Sequence, residues 1–442
     1  MKSVLKHYFL LWVCIISTDV LVLADDSIKS QLEWWRASRF GMFIHWGPVS
    51  LSGHEIGWSR GDQVPIDIYD NLYKDFNPTN FNAEQWVKLA KNAGMKYLVF
   101  TSRHHDGFFM WDTELSDYNI MHTPFKRDVL KELADACKKH DLVFCIYFSI
   151  LDWKHPDYPL GSPGGRTKKP NSDMDRYYKF LEAQIKELFR KYGPFGVVWF
   201  DGEWEAPWTD QYATNLYRLV KSLQPTVLVN NRVGKGRQGM DGITVPGQLG
   251  GDFDTPEQRI GRFNIDRPWE SCITLCNQWS WKPNDQLKSL KECIHTLVKT
   301  TGGDGNLLLN IGPMPTGEIE PRQATRLLEI GDWLEKYGES IYATRGGPFK
   351  PNSFMASTRK DNIIYLHILN WPTNADFISI PKLPTKITKI SALTGGSPQL
   401  TESVDSLKIQ LGQQFRHTID TIIKLQINRS ALEIQPIDLP EK

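Results

Sequence analysis

Short apolar runs alternate with longer amphipathic stretches along most of the chain. The runs Met42 to Ile44, Lys96 to Thr101, Leu142 to Ser149, Phe195 to Phe200, Thr226 to Asn230 and Asn306 to Ile311 read as buried strands. Between them, residues 82–93, 128–140, 174–192, 209–223, 285–300 and 321–337 carry a helical pattern. The punctuation agrees: Asn82 with Gln85 fits a capping box, Pro321 suits a first helical turn, and Gly94, Gly193 and Gly338 stand where helices should stop. Repeated β-then-α units predict a parallel sheet, and the preferred architecture is a (β/α)8-like barrel over residues 25–344. A doubly wound sheet is the alternative, but no G-x-G-x-x-G follows the first strand to support nucleotide use.

After residue 344 the texture changes. Arg345-Gly346-Gly347-Pro348 reads as a linker, and strand-like runs at 363–369, 377–380, 386–393, 407–411 and 420–427 follow without a helix between them. A small antiparallel β-sandwich over 345–442 is expected, with a structural role favoured for it because it holds a single tryptophan, Trp371. At the other end, Lys2 and Lys6 precede an apolar run from Tyr8 to Ile16, and Ala24 offers a small residue for cleavage. Residues 1–24 are therefore expected to be a signal peptide, placing the protein outside the cell, in a periplasm or in a lysosome. The run is far short of the roughly 20 apolar residues of a membrane span.

Composition narrows the partners. With 52 Lys+Arg against 51 Asp+Glu the chain offers no general field for a phosphate backbone, so nucleic acid is disfavoured. Five cysteines remain after the leader, an odd and irregularly spaced set that reads as buried thiols with at most one bridge. The 16 Trp, 15 Tyr and 21 Phe would suit sugars as ligands, although most aromatics fill cores.

In a β/α barrel, chemistry collects at the carboxyl ends of strands. Here the apolar runs end in His45-Trp46-Gly47, in Thr101 through Gly107 with His104, His105 and Asp106, in Tyr147-Phe148-Ser149, in Asp201-Gly202-Glu203 and in Asn230-Asn231-Arg232. Any one of these reads as a cap or a satisfied structural group, but five in register point to a site. The adjacent histidines lack a metal-binding pattern such as H-E-x-x-H, so no metal or cofactor is expected, and neutral imidazoles bonding sugar hydroxyls is the better reading. Asp201 follows four apolar residues and should stand at the barrel mouth, where a carboxylate can attack a substrate carbon if a second carboxyl protonates the departing oxygen. Glu55, Glu203, Asp252, Asp254, Glu257 and Glu270 are all candidates for that second group.

At these residues the sequence resembles the α-L-fucosidases of glycoside hydrolase family 29. The resemblance runs from about Trp34 to Tyr342. It rests on F-G-M-F-I-H-W-G at 40–47, H-H-D-G-F at 104–108, V-W-F-D-G at 198–202, N-N-R at 230–232, W-E-S-C at 269–272 and N-L-L-L-N-I-G-P at 306–313. It implies a retaining exo-glycosidase that releases terminal α-L-fucose from oligosaccharide or glycoprotein glycans, on a barrel followed by a sandwich. Asp201 matches the nucleophile. The family pattern aromatic-x-x-x-acid matches Phe253 to Glu257, which makes Glu257 the general acid/base, with Glu270 the runner-up. Fucose contacts carry over to His45, Glu55, His104, His105, Tyr147 and Arg232, with Trp58 and Trp281 as aromatic walls. The sequence departs from the family at Glu55-Ile56, where many members have Glu-Trp, and at Phe148, where a second tyrosine is frequent. The remaining alternatives are a barrel glycosidase for another sugar, such as a galactoside, and a fucose-binding protein that has lost catalysis.

Overall fold

The computed structural model describes residues 28–372 and 375–440; the expected leader, residues 1–24, lies outside them. Seven parallel strands make the main sheet: β1 (Phe40–Ile44), β2 (Tyr97–Arg103), β3 (Val143–Ser149), β4 (Val197–Asp201), β5 (Leu228–Val229), β6 (Glu270–Thr274) and β7 (Asn306–Ile311). Their order is β5-β4-β3-β2-β1-β7-β6. The two edges of this sheet do not stay open. Residues 252–258 lie between them, with parallel bridges from Phe253 to Asn230, from Asp254 to Trp269 and from Glu257 to Cys272. Backbone hydrogen bonds run to both sides, Asn231 N–H to Phe253 O at 2.9 Å and Glu270 N–H to Asp254 O at 2.9 Å. An irregular eighth segment thus closes the ring. Pro256 and the flanking glycines hide this strand-like segment, and Glu257 on it, from any periodicity argument.

Each strand is apolar throughout because both faces are covered. Met42, Phe100, Ile146 and Phe200 pack outward against the helices. Phe43, Val99, Tyr147, Trp199, Leu228, Phe253, Cys272 and Leu308 pack inward on one another, with Trp35 against Phe253. The barrel is therefore filled rather than hollow.

The outer layer consists of α1 (Ala83–Asn92), α2 (Val129–Lys139), α3 (Met174–Tyr192), α4 (Asp210–Leu223), α5 (Leu290–Gly302) and α6 (Pro321–Tyr337). In α2 the buried positions are Val129, Leu130, Leu133, Ala136 and Cys137, one stripe at helical spacing, and the Asp128 side chain accepts the Lys131 N–H as N-cap. Burying one large apolar side chain is worth about 1.5–3 kcal/mol against about 1 kcal/mol for the cap. The stripe decides that the helix forms and the cap decides where it starts. The same logic moves α5, expected from residue 285, to begin after Ser289, whose reciprocal bonds with Glu292 complete a capping box. No described helix is long and apolar enough to cross a membrane, and all five described cysteines are buried and free.

The C-terminal part packs a five-stranded antiparallel sheet against a three-stranded one. The strands are β8 (Arg345–Gly346), β9 (Met355–Lys360), β10 (Ile363–Ile368), β11 (Phe377–Pro381), β12 (Ile387–Ala392), β13 (Gln399–Glu402), β14 (Ser406–Gln410) and β15 (Thr421–Ile427). The two orders are β8-β9-β10-β15-β12 and β11-β14-β13. Ile364, Leu366, Ile378, Ile380, Leu407 and Ile409 interleave between them. The expected linker is not slack, since Arg345 and Gly346 pair with β9 and the Arg345 guanidinium meets Asp304 at 2.6 Å. Asp304 also binds Arg36 and Arg39 at 2.6 Å each. Burial would raise its carboxyl, but Arg39 and Arg345 outweigh burial and hold it well below the usual carboxylate range. Trp371 lies under the Arg416 guanidinium, 4.2 Å from its ring centroid, and gives its indole N–H to Thr421.

Candidate active site

The carboxyl ends of the strands enclose a cavity of about 360 Å³. Its lining includes His45, Trp58, His104, Tyr147, Asp201, Arg232 and Glu257 from the sequence reading. At its centre is one guanidinium between two carboxylates. Arg232 Nη1 donates to Asp201 Oδ1 at 2.7 Å, and Nη2 donates to Glu257 Oε2 at 2.8 Å. The Arg232 plane lies over Trp199 at 4.5 Å from the ring centroid, and its Nε donates to Thr255 on the closing segment at 3.0 Å. The residues that close the barrel therefore also orient the arginine.

Asp201 is the last residue of β4. Burial pushes its carboxyl up, but the Arg232 charge and hydrogen bond outweigh that and keep it below its ordinary value. Its Oδ2 accepts the Tyr147 hydroxyl at 2.9 Å and stands 3.5 Å from His105 Nε2. It is thus an ionised oxygen pair with fixed partners, facing the cavity floor.

The histidines stay neutral. Burial lowers His45 to about 3 and His105 to about 4, and drives His104 well below the usual range. Their tautomers follow from their neighbours. Asn310 gives its amide N–H to Trp279 O at 2.7 Å, so its Oδ1 must accept from His45 Nδ1 at 2.6 Å. Ser149 spends its hydroxyl on Leu151 O at 2.7 Å, so it accepts from His105 Nδ1 at 2.7 Å. Both rings are left with a bare Nε2, an acceptor for a hydroxyl. His104 stacks on Tyr147 at 5.2 Å and 8°. Gly57 makes that arrangement possible: its φ is +68°, and a Cβ there would meet His104 Nδ1 at 2.8 Å.

Three expected contacts are not at the cavity surface. Glu55 accepts the backbone N–H groups of Trp279 at 2.9 Å and Ser280 at 3.1 Å, so it holds the 279–280 turn instead of lining the cavity. The aromatic wall expected at Trp281 is supplied by Trp279, whose ring lies 4.9 Å from His45; Trp281 does not line the cavity. Spacing along an irregular turn carries no period that would tell the two indoles apart. His105 lies behind His104, fully buried, its ring 5.1 Å from Trp153.

The rival carboxyls sort by their partners. Asp252 is taken by Lys221 at 2.8 Å and the Val229 N–H at 2.7 Å, and Asp254 by Arg267 at 2.6 Å. Glu270, the first residue of β6, sits at the opposite end of the barrel, where it accepts Tyr97 O–H and Trp199 Nε1–H; burial raises it to about 7. Glu203 does line the cavity, and burial, only partly opposed by Arg237 and Arg232, likewise raises it to about 7.

The sequence reading missed Phe43, Trp199, Trp204, Arg237 and Met240 among the lining residues. Phe43 and Trp199 were within reach of it. Each stands two positions before a strand-end polar residue, His45 or Asp201, and therefore points to the same inner side. Arg237 and Met240 ride on a short hairpin, 237–244, that no pattern announces.

Residues 22–339 match the α-L-fucosidase family model. The chain belongs to that family. Human plasma α-L-fucosidase is 31% identical over 398 residues, covering 83% of this chain and 82% of the relative. Among solved structures, α-L-fucosidase isoenzyme 1 of Paenibacillus thiaminolyticus superposes with a TM-score of 0.82 at 32% identity, over 91% of this chain and 100% of that one. A family 29 α-L-fucosidase of Bacteroides thetaiotaomicron, trapped as a covalent intermediate with 2-fluoro-fucosyl fluoride, superposes with a TM-score of 0.81 at 27% identity, over 90% of this chain and 96% of that one. The chain is thus a glycoside hydrolase of the fucosidase family, on a barrel followed by a sandwich.

Proposed function

We propose that the enzyme removes terminal α-L-fucose from oligosaccharide or glycoprotein glycans with retention of configuration, Asp201 acting as nucleophile and Glu257 as general acid/base. The observation that carries this reading is the shared guanidinium: Arg232 grips one oxygen of each carboxylate at 2.7 and 2.8 Å. Two carboxylates on one guanidinium fit the close spacing, about 5 to 5.5 Å, that a covalent glycosyl intermediate requires. Both Arg232 and Arg237 take Glu257 Oε2, leaving Oε1 for the glycosidic oxygen.

In the first step an Asp201 oxygen bonds to the anomeric carbon as the glycosidic bond breaks, and Glu257 delivers its proton to the departing oxygen. In the second, Glu257 takes a proton from water, whose oxygen attacks the same carbon and releases Asp201. His45 accepts a sugar hydroxyl on its bare nitrogen, His105 backs His104 from behind, Tyr147 holds the nucleophile, and the Trp199 and Trp279 faces cover the apolar side of the ring. The covalent intermediate trapped in the Bacteroides relative supports this route. Incubation with 2-fluoro-fucosyl fluoride followed by peptide mass spectrometry should find the label on Asp201; a label on any other residue overturns the assignment. The charged and apolar start of the chain, Lys2 to Ala24, supports export of the enzyme, which amino-terminal sequencing of the mature protein checks.

A further inference from the structure

The cavity is graded in burial. Its floor, with Tyr147, Asp201 and Arg232, is almost fully shielded, whereas its rim carries Trp58 at 41%, Trp204 at 41% and Met240 at 42% exposure. Three large apolar side chains exposed at one edge of one cavity mark a contact surface, where scattered ones would not. Trp58 and Trp204 are stacked, with centroids 5.9 Å apart and planes 17° from parallel, so they present flat apolar surface together. The Met240 carbonyl accepts the Glu257 N–H at 3.0 Å, which ties its part of the rim to the proposed acid/base and so to the leaving-group side.

Polar groups share the cavity lining with the indoles. Glu203 is buried, with Oε1 taken by Arg237 at 3.2 Å and Oε2 without a partner, and Arg237 Nε is also unpartnered. Both side chains line the cavity. Lys235 fixes the loop that carries Glu203 and Trp204, donating to the carbonyls of Glu203 at 2.8 Å and Glu205 at 2.9 Å. A buried carboxyl oxygen and a buried guanidinium N–H left open are what a hydroxyl-bearing ligand would complete.

We propose that Trp58, Trp204 and Met240, backed by Glu203 and Arg237, form an acceptor-side subsite for a pyranose sugar linked to the fucose. The proposal rests on the roles given above to Asp201 and Glu257. A pyranose offers a C–H face for an indole and hydroxyls at its edge for Glu203 and Arg237, whereas an aliphatic aglycone would leave both polar groups unmet.

The test compares kcat/KM on α-L-fucosyl fluoride, whose leaving group is one atom, with that on a fucosyl-hexose disaccharide. In Trp204→Ala the disaccharide-to-fluoride ratio should fall about tenfold, as expected for loss of one stacked ring, and Trp204→Phe should restore most of it. Trp204 is half exposed, and an unchanged thermal midpoint confirms that the variants fold. Equal losses on both substrates, or no loss on either, overturn the subsite while leaving the nucleophile assignment standing. Wild-type enzyme inactive on the fluoride would overturn that assignment and the subsite together.

Discussion

Asp201 and Glu270 are buried carboxyls in the interior of the same barrel, and their fates differ. Asp201 ends β4, meets Arg232 and faces a cavity; Glu270 begins β6, accepts from the neutral donors Tyr97 and Trp199, and does not line that cavity. Burial pushes both upward. At Asp201 the arginine reverses that push, while at Glu270 hydrogen bonds only blunt it, leaving the group near 7. One end of a β/α barrel is thus equipped for charge development and the other for packing, with the same residue type at each. The lesson is that a barrel carboxyl is read from its cation and its access, not from its burial.

The sharpest way to break this contrast is to remove the reactive member. Asp201→Gly should lower kcat on an aryl fucoside by at least ~10³-fold, with the circular dichroism spectrum unchanged. Activity at the wild-type rate would equate Asp201 with Glu270. Weakening the cation's grip should cost less. Arg232→Lys replaces a two-ended fork with a single ammonium that cannot grip both carboxylates, so kcat/KM should drop about 10- to 100-fold. Burial would then act on Asp201 against a weaker opponent. Its carboxyl should rise, and the acidic limb of the kcat/KM profile should move to higher pH.

Smaller effects are expected where a carboxylate positions other groups. Glu55 holds the turn that carries Trp279 by accepting two N–H groups and the Ser280 hydroxyl. In Glu55→Gln an amide N–H₂ must face one of those donors, which shifts the wall. KM for fucosides should rise about 3- to 10-fold with kcat changed less; a loss confined to kcat would instead put Glu55 at the reacting atoms.

The sequence made the repetitive parts of this architecture visible and hid the irregular ones. Six of the seven regular barrel strands and the six helices of the outer layer announced themselves because a doubly covered strand is continuously apolar and a helix repeats its buried face. Residues at strand ends, such as His45, Tyr147 and Asp201, followed from that frame. The closing segment at 252–258 did not, since three isolated bridges and a proline give it neither period nor length. Trp279 and Trp281 could not be separated for the same reason, and Glu55 was placed against substrate because nothing local reveals that its oxygens are already taken. The family resemblance reached Glu257, but its position opposite Cys272, above Glu270, is a fact of the closed ring. The β9 strand, Met355–Lys360, was missed because its residues mix small and charged types and are stabilised by pairing with β8 and β10.

The packing member of the pair makes the finest test. Glu270 is raised to about 7 in the folded protein from an ordinary value near 4.5, so the folded state binds its proton more tightly than the unfolded chain does. Its contribution is therefore fully present below pH 4.5 and is lost as pH climbs through about 7. In Glu270→Gln the amide oxygen can take the Trp199 N–H and the amide N–H₂ can donate to the Tyr97 oxygen, so the variant copies the protonated carboxyl and should match the wild type within about 1 kcal/mol at pH 5. Towards pH 8 the variant should become the more stable of the two, because the wild type must then bury an unpaired charge or pull a proton from solution. Thermal midpoints of the two proteins should accordingly coincide at low pH and diverge as pH rises, with kcat/KM within a few-fold throughout. A Glu270→Gln enzyme of wild-type stability at pH 5 that has lost its turnover would place the second reacting carboxyl at the wrong end of the barrel and remove the distinction between its two ends.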